Sequence, residues 1–263
     1  MARSSLVNIM NLLDAEKQAQ SPEQSFLTDL KRSIEMSAGK NKRVPSKTYK
    51  PSGMNCMRSS YYTITGVEPS NEEPSYVIEG ICNAGTDIHI RVQNAVMGMK
   101  ENGMDCEWVN VESFVKSRNL SDLEITAHTD TETKLYNKRY NISFMCDGIV
   151  RYKDHYYILE FKTETSYKWQ TRQGVDPKHE HQATAYSLSF GIDEVIFIYI
   201  NRDILDMKSF MFNVTSDMKN DLVGYMTTCD DYIAKKKVPP KPLDAGPKKC
   251  QYCGYRAQCR KDG

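Results

Sequence analysis

Asp147 and the Glu160-x-Lys162 pair are the residues of this chain whose types and spacing bear most directly on chemistry. They fall in two β-patterned segments, 141–152 and 155–162, separated by Lys153-Asp154. A two-residue antiparallel turn there pairs Tyr152 with His155, and counting outward sets Asp147 opposite Glu160 on one face. Opposed Cβ atoms lie about 4.5–5.5 Å apart, and Lys162, two residues on, projects from the same face. Two carboxylates at ~5 Å repel by roughly 3 kcal/mol at an effective dielectric of about 20, a cost that a bound cation would offset. Hard oxygen ligands suit Mg²⁺ or Mn²⁺, which polarise a phosphoryl oxygen and lower the pKa of a bound water. A neighbouring ammonium orients that water or stabilises developing negative charge. The plainer alternative is a surface salt bridge between strands.

A second chemical pattern lies near the C-terminus, where Cys250, Cys253 and Cys259 stand at C-x2-C-x5-C spacing with no histidine after His181. A tetrahedral zinc site or a cubane iron–sulfur cluster takes four protein ligands, so these three need another. Cys229 is nearest in sequence, and Cys56 lies far upstream. If Cys56 is the partner, the metal closes almost the whole chain into a loop. Eight cysteines without a secretion signal argue for reduced thiols, with Cys82, Cys106 and Cys146 ordinary buried ones.

The elements that must position these groups read as an α/β order. The 263 residues, 40% hydrophobic, suffice for a full core. Helical periodicity covers 4–38, broken at Ser21-Pro22, and a basic linker runs to about Lys50. Helices are expected over 53–63, 75–99, 177–190 and 216–236, the last ended by Val238-Pro239-Pro240. Strands are expected over 107–115, 141–152, 155–163, 194–201 and 208–214. Three regions follow: a helical extension and linker over 1–50, a core over 51–240 and a cysteine-rich segment over 241–263. Met1-Ala2-Arg3-Ser4-Ser5 leads into a mixed polar helix, and the longest apolar run, 195–200, is too short to span a bilayer, so a soluble cytoplasmic protein with no membrane partner is expected.

Net charge is only +1, but its distribution is uneven. Lys40, Lys42, Arg43, Lys47 and Lys50 precede Cys56, and Lys248, Lys249, Arg256, Arg260 and Lys261 surround the C-terminal cysteines. A metal joining Cys56 to those cysteines would merge the two runs into one surface fit to follow a phosphate backbone; the alternative is a pair of solvated linkers. His89 in Gly85-Thr86-Asp87-Ile88-His89 falls inside an amphipathic helix. Gln182 and Tyr186, four apart, share a helical face.

Taken in order, Cys56, Gly85-Thr86-x-x-His89, Asp147, Glu160-x-Lys162, Gln182-x3-Tyr186 and Cys250-x2-Cys253-x5-Cys259 resemble the PD-(D/E)XK nuclease superfamily. The likeness is to its iron–sulfur branch, the RecB/AddB-type nuclease domains and the CRISPR-associated exonucleases of the Cas-four type, over residues 50–260. The resemblance implies a restriction-endonuclease-like mixed central sheet flanked by helices, with a cluster subdomain joining the N- and C-terminal segments. It implies that His89, Asp147, Glu160 and the Phe161 carbonyl bind Mg²⁺ or Mn²⁺, that Lys162 is the catalytic lysine, and that Gln182 and Tyr186 steer DNA or the lysine. It further implies that Cys56, Cys250, Cys253 and Cys259 hold a [4Fe–4S] cluster, zinc being the alternative. Cys146 stands where the superfamily's name has proline, and Met57 follows Cys56 where relatives often carry proline.

The function so implied is a metal-dependent DNA exonuclease that trims or resects ends, 5′→3′ by resemblance alone. The settings are recombination, replication, repair or CRISPR spacer processing with the corresponding partner proteins, in a bacterial cell or in a phage's host. A structure-specific endonuclease of the same chemistry and a non-catalytic DNA-binding adaptor are the alternatives; Lys162 argues against the adaptor, which has no need of an ammonium beside two carboxylates. Lys248, Lys249, Arg256 and Tyr186 are the expected DNA contacts. Tyr61, Tyr62 and Trp169 join Tyr186 as stacking candidates for single strands if exposed. No duplex-reading motif is present, so weak sequence specificity is expected.

Overall fold

In a computed structural model, residues 21–39, 46–70, 75–128, 132–246, 250–251 and 253–263 are described. The helix expected before Ser21, the linker residues Lys40, Lys42 and Arg43, and Lys248 and Lys249 lie outside them. The chain divides into two compact units, one of residues 1–42 and 71–82, the other of 43–70 and 83–263.

The smaller unit contains α1 (Pro22–Gly39) and the first residues of α3 (Tyr76–Met97). The Tyr76 amide donates to Glu35 at 3.2 Å, and Lys31 sits 4.9 Å over the Tyr76 ring.

The larger unit is built on a five-stranded mixed sheet in the order β1-β5-β6-β7-β8, from β1 (Cys106–Trp108), β5 (Gly148–Tyr152), β6 (His155–Glu164), β7 (Glu194–Asn201) and β8 (Met207–Asn213). A second, antiparallel sheet joins β2 (Leu123–His128), β3 (Thr133–Asn137) and β4 (Ile142–Cys146). Six helices complete the unit: α2 (Met57–Thr65), the rest of α3, α4 (Val111–Ser117), α5 (Ser166–Thr171), α6 (Glu180–Phe190) and α7 (Ser216–Ala234), followed by the short α8 (Arg256–Lys261). β7 reads EVIFIYIN, the near-continuous apolar run of a strand covered on both faces, and pairs parallel to β6. No helix among the described residues is long and apolar enough to cross a membrane.

The hairpin of β5 and β6 has the expected register. Lys153 and Asp154 both adopt positive φ, 48° and 63°, as a two-residue type I′ turn requires, and Tyr152 pairs with His155. Pairing runs outward to Gly148 opposite Leu159.

Strands β2 and β3 and helix α5 fall outside the expected segments, and two expected strands differ in kind. The 107–115 stretch is not one strand: β1 stops at Trp108, and Asn110 caps α4 by accepting from the Ser113 amide at 2.9 Å, so an N-cap overrides the apolar pattern. The 141–152 stretch is two strands in two sheets, β4 and β5, and Asp147 is the single residue between them. Gly148 makes that turn-off possible, because a Cβ there would lie 2.3 Å from the Trp108 ring.

Candidate active site

Asp147 is fixed at the junction of the sheets from both its ends. Its carbonyl accepts from the Gln93 side chain on α3 at 2.7 Å, and its Oδ2 accepts from the Phe161 amide on β6 at 2.7 Å. Glu160 stands on the adjoining strand. Its Oε1 accepts from Lys162 Nζ and from Gln182 Nε2, the latter at 2.7 Å, while its Oε2 is buried with no hydrogen-bond partner among the described residues. Lys162 Nζ also donates to Gln182 Oε1 at 3.0 Å. One turn along α6, Gln182 Nε2 reaches the Tyr186 hydroxyl at 2.7 Å, and that hydroxyl donates to the Met145 carbonyl, also at 2.7 Å.

The carboxylates do not face the surface, contrary to the strand-salt-bridge alternative: Asp147 is 7% exposed and Glu160 2%. Gln182 and Tyr186, both buried on α6, pack beside Glu160 through the Gln182 hydrogen bond. Burial raises the proton affinity of both acids. For Asp147 the Phe161 amide and Lys162 oppose the rise, and for Glu160 repulsion from Asp147 adds to it. His89, from α3, has its Nδ1 3.9 Å from Asp147 Oδ2, and burial lowers its pKa. Ligand atoms of His89, Asp147 and Glu132 lie within 4.8 Å of one another.

Hence His89, Asp147, Glu160, Phe161, Lys162, Gln182 and Tyr186 converge, and two further residues join them that the sequence reading did not single out. Gln93 lies four positions after His89 on α3, the same helical spacing that drew notice to Gln182 and Tyr186. Glu132 lies in the connection before β3, where no periodicity marks it.

Tyr186 is only 2% exposed and held by two hydrogen bonds, so it offers no face for a base to stack on. Tyr61 and Tyr62 are likewise buried, in the core with Tyr255, and Trp169 is half-buried beneath Lys208. Their apolar rings were drawn inward by the same burial that makes a core. Among the cysteines expected to be buried, Cys106 and Cys146 are, whereas Cys82 is exposed.

The four cysteines come from both ends of the larger unit. Cys56 caps α2, Cys253 follows a tight turn from Cys250, and Cys259 lies in α8. Burial raises the Cys253 thiol pKa, and Cys56, Cys250 and Cys259 raise it further. Cys229 is instead fully buried against Tyr49 and the Met57 carbonyl. Among the described residues no three of the thiols converge within 4.8 Å. Side chains of α2 hold the segment besides. Buried Arg58 donates to the carbonyls of Pro239, Cys259 and Gly263 at 2.6, 3.0 and 3.0 Å and to Cys259 Sγ at 3.3 Å, and Tyr62 donates to Asp262 at 2.6 Å. Arg256 opens α8, half-buried.

No family model matches the chain, and no curated protein matches it. Among solved structures it is similar to SSO0001, at 16% identity and a TM-score of 0.48, over 91% of this chain and 98% of that one. It is also similar to the alkaline exonuclease LHK-Exo of Laribacter hongkongensis, at 10% identity and a TM-score of 0.37, over 73% of this chain and 90% of that one. The complex of LHK-Exo with dAMP gives the same identity and TM-score over 72% and 89%. At these scores the chemistry of the site rests on its own residues.

Proposed function

We propose that the protein is a metal-dependent DNA nuclease of PD-(D/E)XK type, acting as an exonuclease that trims ends and favours single strands. The observation that carries this reading is Glu160: a buried carboxylate with one oxygen held by Lys162 and Gln182 and the other without a partner among the described residues. An orphaned buried oxygen costs about 1–3 kcal/mol unless something else binds it. Beside it stand Asp147 and a histidine that burial keeps neutral, a donor set of the hard-oxygen and imidazole kind that Mg²⁺ or Mn²⁺ accepts.

His89, Asp147 and Glu160 would hold the ion, with Glu132 within reach of the same place. When bound, it would supply charge stabilisation for a phosphodiester and a more acidic water. The chain's own residues do the rest. Gln182 receives one Lys162 hydrogen bond and gives one to Glu160, which fixes the ammonium relative to the carboxylate. The Lys162 N–H groups can then donate to a phosphoryl oxygen as negative charge builds on it. Tyr186, tied to Met145, limits rotation of Gln182. In the hydrolysis, water oxygen bonds to phosphorus and gives up one proton, the bond to the leaving sugar oxygen breaks, and that oxygen takes up a proton, so that one proton passes in net from the water to the leaving oxygen.

Cys56, Cys250, Cys253 and Cys259 would hold a [4Fe–4S] cluster, with zinc the alternative, and join the two ends of the nuclease unit. The 5′→3′ polarity and a place in recombination, replication, repair or CRISPR adaptation rest on family resemblance.

The test is hydrolysis of end-labelled linear and closed circular DNA with Mg²⁺, Mn²⁺ or EDTA. Metal-dependent release of short products from linear single strands is expected. Cutting of closed duplex at one defined sequence, with linear single strands untouched, would replace this reading with a specific endonuclease.

A further inference from the structure

Beyond the carboxylates, at the carboxyl ends of the parallel pair β6 and β7, lies a cavity of about 200 Å³ lined by Lys162, Thr163, Thr165, Lys168, Lys178, His179 and Arg202, with Glu164 in its wall. Ligands of open α/β sheets bind outside the carboxyl ends of the strands, and here that position abuts the Lys162 ammonium.

The charge inventory favours an anion. Glu164 is the one acid in the lining, and Arg172 neutralises it through a bidentate pair of 2.6 and 2.5 Å while lying 4.1 Å from the Tyr199 ring. Lys162 is engaged by Glu160, and Lys178 by Asp176 at 3.4 Å. Lys168 and Arg202 make no ion pair or side-chain hydrogen bond among the described residues; the Arg202 charge is felt by the neighbouring Asp203 carboxylate, which Ser166 holds by two hydrogen bonds of 2.9 and 2.6 Å.

The hydrogen bonding also sets a neutral donor in the wall. The Asp176 amide donates to the Tyr199 hydroxyl at 3.0 Å, and His179 Nδ1, 3.0 Å from that hydroxyl, is the acceptor at hand for the proton of this buried group. With Nδ1 accepting, a neutral His179 carries its proton on Nε2. The ring stacks on Phe197 and Tyr199, which fixes its orientation.

From this arrangement we infer that the cavity is a binding site for a non-scissile phosphate of the nucleic-acid strand, held by Lys168, Arg202 and His179 beside the Lys162 that serves the reacting one. Arginine and lysine converging with a neutral N–H match phosphate oxyanions in charge and in hydrogen-bond sense. The inference rests on the nuclease reading for its substrate but not for its chemistry. A phosphate monoester at a strand end and an internal phosphodiester share that chemistry.

The experiment compares the full chain with its K168Q/R202Q variant, with divalent metal chelated throughout. Inorganic phosphate is titrated by calorimetry, and fluorescent single-stranded oligonucleotides bearing a 5′-phosphate, a 3′-phosphate or neither are titrated by anisotropy. At least tenfold weaker phosphate binding by the variant is expected, at an unchanged melting temperature, with K168R/R202K retaining most of it. For oligonucleotides, the slope of log K against log salt should fall by about 0.7 per charge removed. A preference for one phosphorylated end that the variant loses identifies a terminal monoester; equal weakening on all three strands identifies an internal diester. Phosphate and oligonucleotide binding by the variant equal to that of the parent would overturn the assignment. A protein that binds phosphate as expected yet hydrolyses no DNA with added metal would keep the pocket and overturn the nuclease reading alone.

Discussion

The Phe161 amide donates to Oδ2 of Asp147 at 2.7 Å, tying the residue between the two sheets to the middle of the central strand. Glu160 and Lys162 flank Phe161, so one backbone hydrogen bond registers the junction carboxylate against both groups of the E-x-K pair. A shift of β6 by one residue would move Glu160 and Lys162 off the site's face and break that bond.

Substitution should separate chemistry from folding. Asp147→Asn, Glu160→Gln and Lys162→Met are each expected to lower hydrolysis by about 10²-fold or more, the usual cost of removing a positioned charge or proton-handling group. Glu160→Gln relieves a buried acid and should leave the melting temperature within a few degrees of the parent's. Single-turnover rates and thermal unfolding of the three variants check this; rates within threefold of the parent would remove these residues from the site.

Gly148 is expected to tolerate no side chain. An added Cβ would lie 2.3 Å from Cη2 and 2.7 Å from Cζ3 of Trp108, and overpacking of that kind costs about 1–3 kcal/mol. Gly148→Ala should therefore lower both urea resistance and hydrolysis, since Asp147 is its neighbour. In a double-mutant cycle with Trp108→Ala, the two costs should be clearly less than additive.

His179 gives the protein a dependence on pH of predictable sign. Burial, reinforced by Lys162 and Lys178, holds its pKa down to about 3, against about 6.5 in an unfolded chain. Between those values the unfolded chain takes up a proton that the folded one does not, so stability is full above pH ~6.5 and is lost as pH falls below it. Urea unfolding across that range should show the loss, and His179→Gln should flatten it.

Metal content is expected to follow the thiols. Anaerobically purified protein should carry about four irons per chain. Replacing Cys56 by alanine should reduce iron as severely as replacing Cys253 if, as proposed, both ends supply ligands, whereas Cys229→Ser, within the Tyr49 pocket, should retain it. Elemental analysis of the three proteins decides; full retention in Cys56→Ala would remove the upstream thiol from the ligand set.

Much of this was readable from the residues. The β5–β6 register followed from a two-residue turn and a period of two, and helices α6 and α7 were expected over 177–190 and 216–236, the second ended by Val238-Pro239-Pro240. The break at Asp147 was not readable, because Ile142 to Tyr152 keeps an apolar pattern straight through a residue where the chain changes sheets. Glu160 is buried beside Gln182 of α6, a long-range contact that no local window contains. Glu132 reaches the site from a connection without periodicity, and Arg58 was hidden beside a cysteine that took all the notice.

Arg58 also imposes an order on biosynthesis. Its carbonyl acceptors lie 181 to 205 residues downstream, so a ribosome must translate that much further chain before the guanidinium can be satisfied. Until then α2 carries a charge it cannot bury, and chains cut before Pro239 should stay arrested with α2 undocked, prey to proteolysis rather than partly active.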